Sequence, residues 1–159
     1  MSKTLVAYFS ATGTTRRVAE RLARAAQADL FEIKPAVPYS SADLDWTNKA
    51  SRTSKERSDE SIRPALAVKL ADASAYNVVY IGFPIWWYVA PRIIATFLES
   101  SDFSGKTIVP FATSGGSSMG RTIEELKRIC PTARFLNGRV LNGLSDKGLA
   151  DWVASVNGK

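Results

Sequence analysis

Three short segments in this 159-residue chain gather residues that could do chemistry together, and each follows an apolar run. Ser10, Ala11, Thr12, Gly13, Thr14 and Thr15 follow Leu5–Phe9; Pro84, Ile85, Trp86, Trp87 and Tyr88 follow Val78–Phe83; Thr113, Ser114, Gly115, Gly116 and Ser117 follow Ile108–Ala112. The first segment offers hydroxyls, one glycine that lets the backbone turn, and the amino end of a helix. Neutral donors beside a helix dipole suit a terminal monophosphate that is held rather than cut. The spacing is neither the G-x-x-x-x-G-K-[ST] of a triphosphate cradle nor the G-x-G-x-x-G of a dinucleotide site. The second segment presents two adjacent indoles, large flat surfaces that stack on planar rings. Successive side chains point in different directions, so both do not easily belong to the core. The third segment has paired glycines that permit close backbone approach, flanked by hydroxyl donors. Together the three suit a flat aromatic ring carrying a phosphate. A plainer role stays open for each: an N-cap in the first, one core and one loop-packed tryptophan in the second, a flexible turn in the third.

The chain has no histidine, which excludes Ser-His-Asp hydrolysis, histidine metal sites and imidazole proton relays. Cys130 is the single cysteine, so no intramolecular disulfide forms; the reading is a reducing compartment and a cytoplasmic location. Hydrophobic content of 45% and charged content of 23% are ordinary for a globular chain. Leu5–Phe9 is too short for a signal peptide's apolar region, and no run approaches the roughly 18 apolar residues of a membrane span. No membrane association is expected. The formal charge of +6 is scattered. Arg17, Arg21 and Arg24 share one face of a helix, but no aromatic residue is interleaved with them as a nucleic-acid stacking platform would require. They read as a solvated face, and the net charge as a preference for acidic partners or anionic substrates.

The elements that must position these segments alternate strand and helix from end to end. Strands are expected at Leu5–Phe9, around Leu30–Ile33, at Val78–Phe83 and at Thr107–Ala112, with a weak fifth within Arg134–Leu141 interrupted by Asn137-Gly138. Helices are expected over Thr14–Ala26, around Ile93–Leu98, around Ile123–Ile129 with Thr122 and Glu125 as a capping box, and from about Ser145 with Leu149, Trp152, Val153 and Val156 on one face. Repeated strand-helix units imply a parallel sheet with helices on both faces, one domain over residues 1–159, and a site at the carboxyl ends of the strands. One segment breaks the rhythm: an extended connection over residues 35–76, far longer than an ordinary crossover loop. Its middle, Thr47–Ser61, is rich in Ser, Lys, Arg and Glu, and a helix over Pro64–Ala73 is expected to complete the crossover. The connection reads as a mobile surface insertion or, alternatively, a flap over the site anchored by Tyr39 and Trp46.

Phe9-Ser10-Ala11-Thr12-Gly13-Thr14-Thr15, Gly82-Phe83-Pro84-Ile85-Trp86-Trp87 and Thr113-Ser114-Gly115-Gly116-Ser117 resemble the three FMN-binding segments of flavodoxin-like proteins, in the right order across essentially the whole chain. The resemblance implies a three-layer α/β/α sandwich whose five-stranded parallel sheet has the order 2-1-3-4-5. It implies FMN as cofactor, with the first segment on the ribityl phosphate and the other two embracing the isoalloxazine. No catalytic or metal-binding residue is expected. The leading expectation is an electron carrier serving a redox partner protein or a small-molecule electron acceptor, with no nucleic acid involved. The alternative is an NAD(P)H-dependent FMN quinone reductase, and a flavin-free interaction module on the same fold is a third class. Two tests of other users of this topology fail: Pro84 stands where a response regulator needs its phosphoacceptor Asp, and Cys130 has Leu136, not Arg, six residues on.

The chain departs from typical flavodoxins in being basic, in having no Asp, Glu or Tyr over 112–120, and in placing Tyr88 rather than Gly after Trp87. It is closer to a branch of the family that carries the Pro-Ile-Trp-Trp and Thr-Ser-Gly-Gly-Ser segments. With Arg92 and Arg121 in or beside the loops and no carboxylate, a reduced, anionic flavin is expected to be less disfavoured than in acidic flavodoxins.

Overall fold

A computed structural model describes residues 3–86, 90–114, 119 and 121–158 of the protein. Four strands form a parallel core: β1 (Lys3–Tyr8), β2 (Asp29–Glu32), β3 (Tyr76–Pro84) and β4 (Thr107–Thr113), with two short strands, β5 (Arg134–Phe135) and β6 (Arg139–Val140), both parallel to β4. The order is β2-β1-β3-β4-β5, with β6 also pairing to β4, as the resemblance implied. Alternation along each strand divides the core. Leu5, Ala7, Val79, Ile81 and Ile108 pack on one face, and Val6, Tyr8, Tyr80, Val109 and Phe111 on the other.

The helices sort accordingly. α1 (Thr14–Ala26) and α5 (Asp146–Asn157) cover the second face with Val18, Leu22, Trp152 and Val153, while α3 (Arg92–Ser100) and α4 (Thr122–Ile129) cover the first with Ile93, Ile94, Phe97 and Leu126. This is the three-layer α/β/α arrangement. α5 starts where the sequence places it, Ser145 accepting from the Gly148 N–H. No helix among the described residues is long and apolar enough to cross a membrane.

The interruption of the fifth strand has a local cause in β4. The carbonyls of Lys106, Ile108 and Ala112 accept from Arg134, Leu136 and Leu141, so even-numbered residues of β4 face β5 and β6. Pro110 is the even residue between them and has no N–H to give. Gly138 passes against its carbonyl, where a Cβ would lie inside contact distance. The ladder breaks there and resumes at Arg139.

Two expected features do not form. Pro64–Ala73 is not helical: Pro35 bridges Leu66 antiparallel, Ala36 N–H donates to Ala65 O and Ala67 N–H to Lys34 O, and only a 3-10 turn, Ala73–Ala75, precedes β3. Backbone pairing onto the chain leaving β2 outweighs the helix propensity of an Ala- and Leu-rich tract, because the sheet edge has groups to satisfy. The helix of this excursion is instead α2 (Arg52–Ser58), inside the polar stretch and capped by Ser51. The capping box at α4 is also absent: Arg121 is the N-cap, Thr122 Oγ1 is buried without a partner among the described residues, and Glu125 turns to Arg92.

Candidate functional site

The three loops leave the carboxyl ends of β1, β3 and β4 and are tied into one rim. Thr15, the second residue of α1, shares a 2.7 Å hydrogen bond with Thr113 at the end of β4, both hydroxyls buried. Ile85 N–H donates to Thr113 O at 2.9 Å, joining the second loop to the third. Thr113 is therefore the hub, although in the sequence it reads only as the first residue of the third loop.

In the first loop Gly13 takes φ 96°, a left-handed conformation that an L side chain disfavours, and serves as N-cap of α1 without a side-chain cap. Its N–H donates to Ser10 Oγ at 3.0 Å. The first N–H groups of α1 after it have no intrahelical acceptor, and its first turn holds no acidic residue. Thr12 and Thr14 are exposed with no partner among the described residues, and Ala11 is half-buried against the core. The Arg17 guanidinium lies 3.4 Å from where a Cβ on Gly13 would stand. Free hydroxyls, free N–H groups, a helix N-terminus and a nearby cation fit a phosphate. Thr15 is the exception to the expected donor set, since its hydroxyl is already shared with Thr113.

In the second loop Pro84 ends β3, Ile85 is half-buried, and Trp86 packs edge-on against Phe9 (5.7 Å, 86°) and Tyr39 (5.5 Å, 69°). Trp86 is thus held by the protein's own rings. Trp87 and Tyr88 lie outside the described residues, as do Gly115, Gly116 and Ser117. In the third loop Ser114 is clamped by Asn142, which accepts from its N–H at 2.8 Å and donates to its carbonyl at 2.9 Å. Sequence reasoning missed Asn142, because Asn142-Gly143 reads as an ordinary turn.

The excursion joins the same region. Tyr39 contacts Phe9 and Trp86, as an anchor would, but Trp46 is 71% exposed and anchors nothing. Arg52 and Glu56 of α2 pair at 3.1 Å, and the Tyr39 hydroxyl donates to Glu56 at 2.6 Å. Burial and this bond to Glu56 push the Tyr39 phenol well above its usual range. The Arg52-x-x-x-Glu56 spacing, which the sequence reading did not use, is the local signal that marks α2.

Arg92 corrects the expected charge balance. It is a buried cation, paired with Glu125 at 3.1 Å and donating to the carbonyls of Glu56 and Arg57. Arg92 is thus neutralised by the Glu125 carboxylate of α4 and held by two backbone carbonyls of α2, so it is no free positive charge beside the loops.

Comparison with known proteins agrees with this geometry. A family model described as Flavodoxin matches residues 3–156. A crystal structure of a candidate flavoprotein from Bacteroides eggerthii is 52% identical over 100% of both chains with a TM-score of 0.95. Another from Bacteroides uniformis is 54% identical, covering 96% of this chain and 98% of that one, with a TM-score of 0.93. A flavoprotein from Lactobacillus acidophilus in complex with FMN shares the fold at 20% identity, covering 93% of this chain and 99% of that one, with a TM-score of 0.71. No curated protein matches. With its strand order, loop-borne rim and family match over nearly its full length, the chain belongs to the flavodoxin family.

Proposed function

We propose that this protein binds FMN on the rim formed by its three loops and works as an electron carrier. The observation that carries the reading is the joining of all three loops through Thr113, with an open, acid-free α1 N-terminus at one end and aromatic rings at the other. Ser10, Thr12, Gly13 and Thr14 would hold the phosphate, with Thr15 and Ala11 supporting that turn. Pro84–Tyr88 and Thr113–Ser117 would border the ring. When bound, the flavin supplies the one- and two-electron chemistry. The loops contribute hydroxyls, backbone and rings but no Asp, Glu, Lys, His or Cys. That composition supports a carrier over an enzyme that must move protons to and from a substrate.

One observation favours the alternative, an NAD(P)H-dependent FMN quinone reductase: the folded excursion walls the ring end through Tyr39. The decisive experiment has two stages. Titration of FMN into the purified protein should quench flavin fluorescence at one equivalent, and no quenching removes both readings. Stopped-flow mixing of the loaded protein with NADPH should give slow reduction unless a reductase is added. Fast reduction by NADPH alone would make the protein an enzyme.

A further inference from the structure

The excursion is bound to the second loop more tightly than a crossover requires. Phe9, Tyr39 and Trp86 form a closed triangle of edge-to-face rings, with centroids 5.5 to 5.7 Å apart. One ring comes from the end of β1, one from the loop after β3 and one from the excursion. Glu56, only 4% exposed, holds the excursion's ring in place. One of its carboxylate oxygens accepts from the Tyr39 hydroxyl at 2.6 Å, the other from Arg52 at 3.1 Å, and the Arg52 guanidinium lies 3.8 Å over the Tyr39 ring. A buried carboxylate is costly unless its oxygens are satisfied, and here both are. The same residue's backbone carbonyl accepts from Arg92 at 2.9 Å, just past the far end of the second loop. The loop is therefore bracketed, by Tyr39 on Trp86 at its start and by Glu56 on Arg92 at its end.

We infer that Tyr39 and Glu56 are positioning residues for the ring end of the flavin site, acting through Trp86; the inference rests on the FMN reading above. Glu56 fixes the Tyr39 ring, and the Tyr39 ring limits the orientations open to Trp86. Apparent affinity falls in proportion to the population of the competent orientation, so a drop to a tenth weakens binding about tenfold. Riboflavin has the ring without the phosphate. Loss of ring-end order must therefore weaken FMN and riboflavin alike, whereas loss of a phosphate donor weakens FMN alone.

The test compares Glu56→Gln, Tyr39→Ala and Tyr39→Phe in the full chain, with Arg63→Ala breaking the exposed pair between the excursion and Glu99. Each is titrated with FMN and riboflavin, and the visible absorption bands of bound FMN are recorded. Glu56→Gln and Tyr39→Ala should weaken both ligands about tenfold with their ratio unchanged, and shift the bands. Tyr39→Phe, which keeps the ring, should lose less than Tyr39→Ala, and Arg63→Ala should change neither ligand. Wild-type affinity and spectra in Glu56→Gln and Tyr39→Ala would overturn the inference alone. So would a loss confined to FMN, or an equal loss in Arg63→Ala. Wild-type protein that binds neither flavin would overturn the inference and the FMN reading together.

Discussion

The Thr15–Thr113 hydrogen bond is the tie between the first and third loops, and a double-mutant cycle tests it. The hydroxyls are 2.7 Å apart in residues 2% and 3% exposed, so water offers neither a substitute partner. Thr15→Val or Thr113→Val keeps the shape but leaves the other hydroxyl buried and unpartnered, which costs about 1–3 kcal/mol. The double variant leaves no orphan. It gives up only the net value of one hydrogen bond, about 1 kcal/mol, and that is partly offset by apolar burial. Non-additivity is therefore expected: two singles at about 1–3 kcal/mol each against a double at about 1 kcal/mol leave the double more stable than their sum predicts by about 1–5 kcal/mol. Urea unfolding of the four proteins measures this, provided the slope with denaturant stays constant so that midpoints report stability. Effects that add to within about 0.5 kcal/mol would refute the pairing and, with it, the role of Thr113 as the hub of the rim.

Three further outcomes follow from the packing. Glu125→Ala leaves Arg92, whose side chain is 10% exposed, without its carboxylate and should cost about 3–5 kcal/mol in urea unfolding; a loss under about 1 kcal/mol would show that the pair is solvent-screened. The Tyr80 hydroxyl is buried without a partner, so Tyr80→Phe should be neutral or stabilising by about 1 kcal/mol at neutral pH, and a clear destabilisation would reveal a missed partner. Burial alone raises the Tyr80 phenol from 10.0 to about 12, so its folded state resists ionisation. The stability this contributes is present below pH 10.0 and lost as pH rises toward about 12, so wild type should lose more than Tyr80→Phe over that window. Gly82 faces Phe111 across the β3–β4 register, and a Cβ there falls within contact distance of the ring. Gly82→Ala should cost about 1–3 kcal/mol or more and be largely relieved in a Phe111→Leu background; equal losses in both backgrounds would reject the clash.

Much of the fold was legible because its signals are local. The runs at Leu5–Phe9 and Val78–Phe83 are apolar on both faces, as a covered parallel strand must be, and Leu149, Trp152, Val153 and Val156 repeat at helical spacing beneath a Ser145 cap. Even the break at Asn137-Gly138 was visible, although its cause, Pro110, lies on the neighbouring strand. The failures share a different character. Pro64–Ala73 has helix formers but pairs with the chain beside β2, and Thr122 and Glu125 have capping-box spacing while Glu125 answers a buried arginine 33 residues away. In each case a distant partner outbid a local preference.

The site divides along the same line. Which residues end the strands, that they are neutral and aromatic, and that no histidine serves them are properties of the chain itself, because they depend only on residue type and order. Tertiary structure decided which of them remain free. Thr15 and Thr113 satisfy each other, Trp86 is committed to Phe9 and Tyr39, Arg92 is neutralised by Glu125, and Thr12 and Thr14 have no partner among the described residues. The physical reason is that a donor, ring or charge acquires its role from the partner that meets it, and those partners here lie up to 98 residues away along the chain.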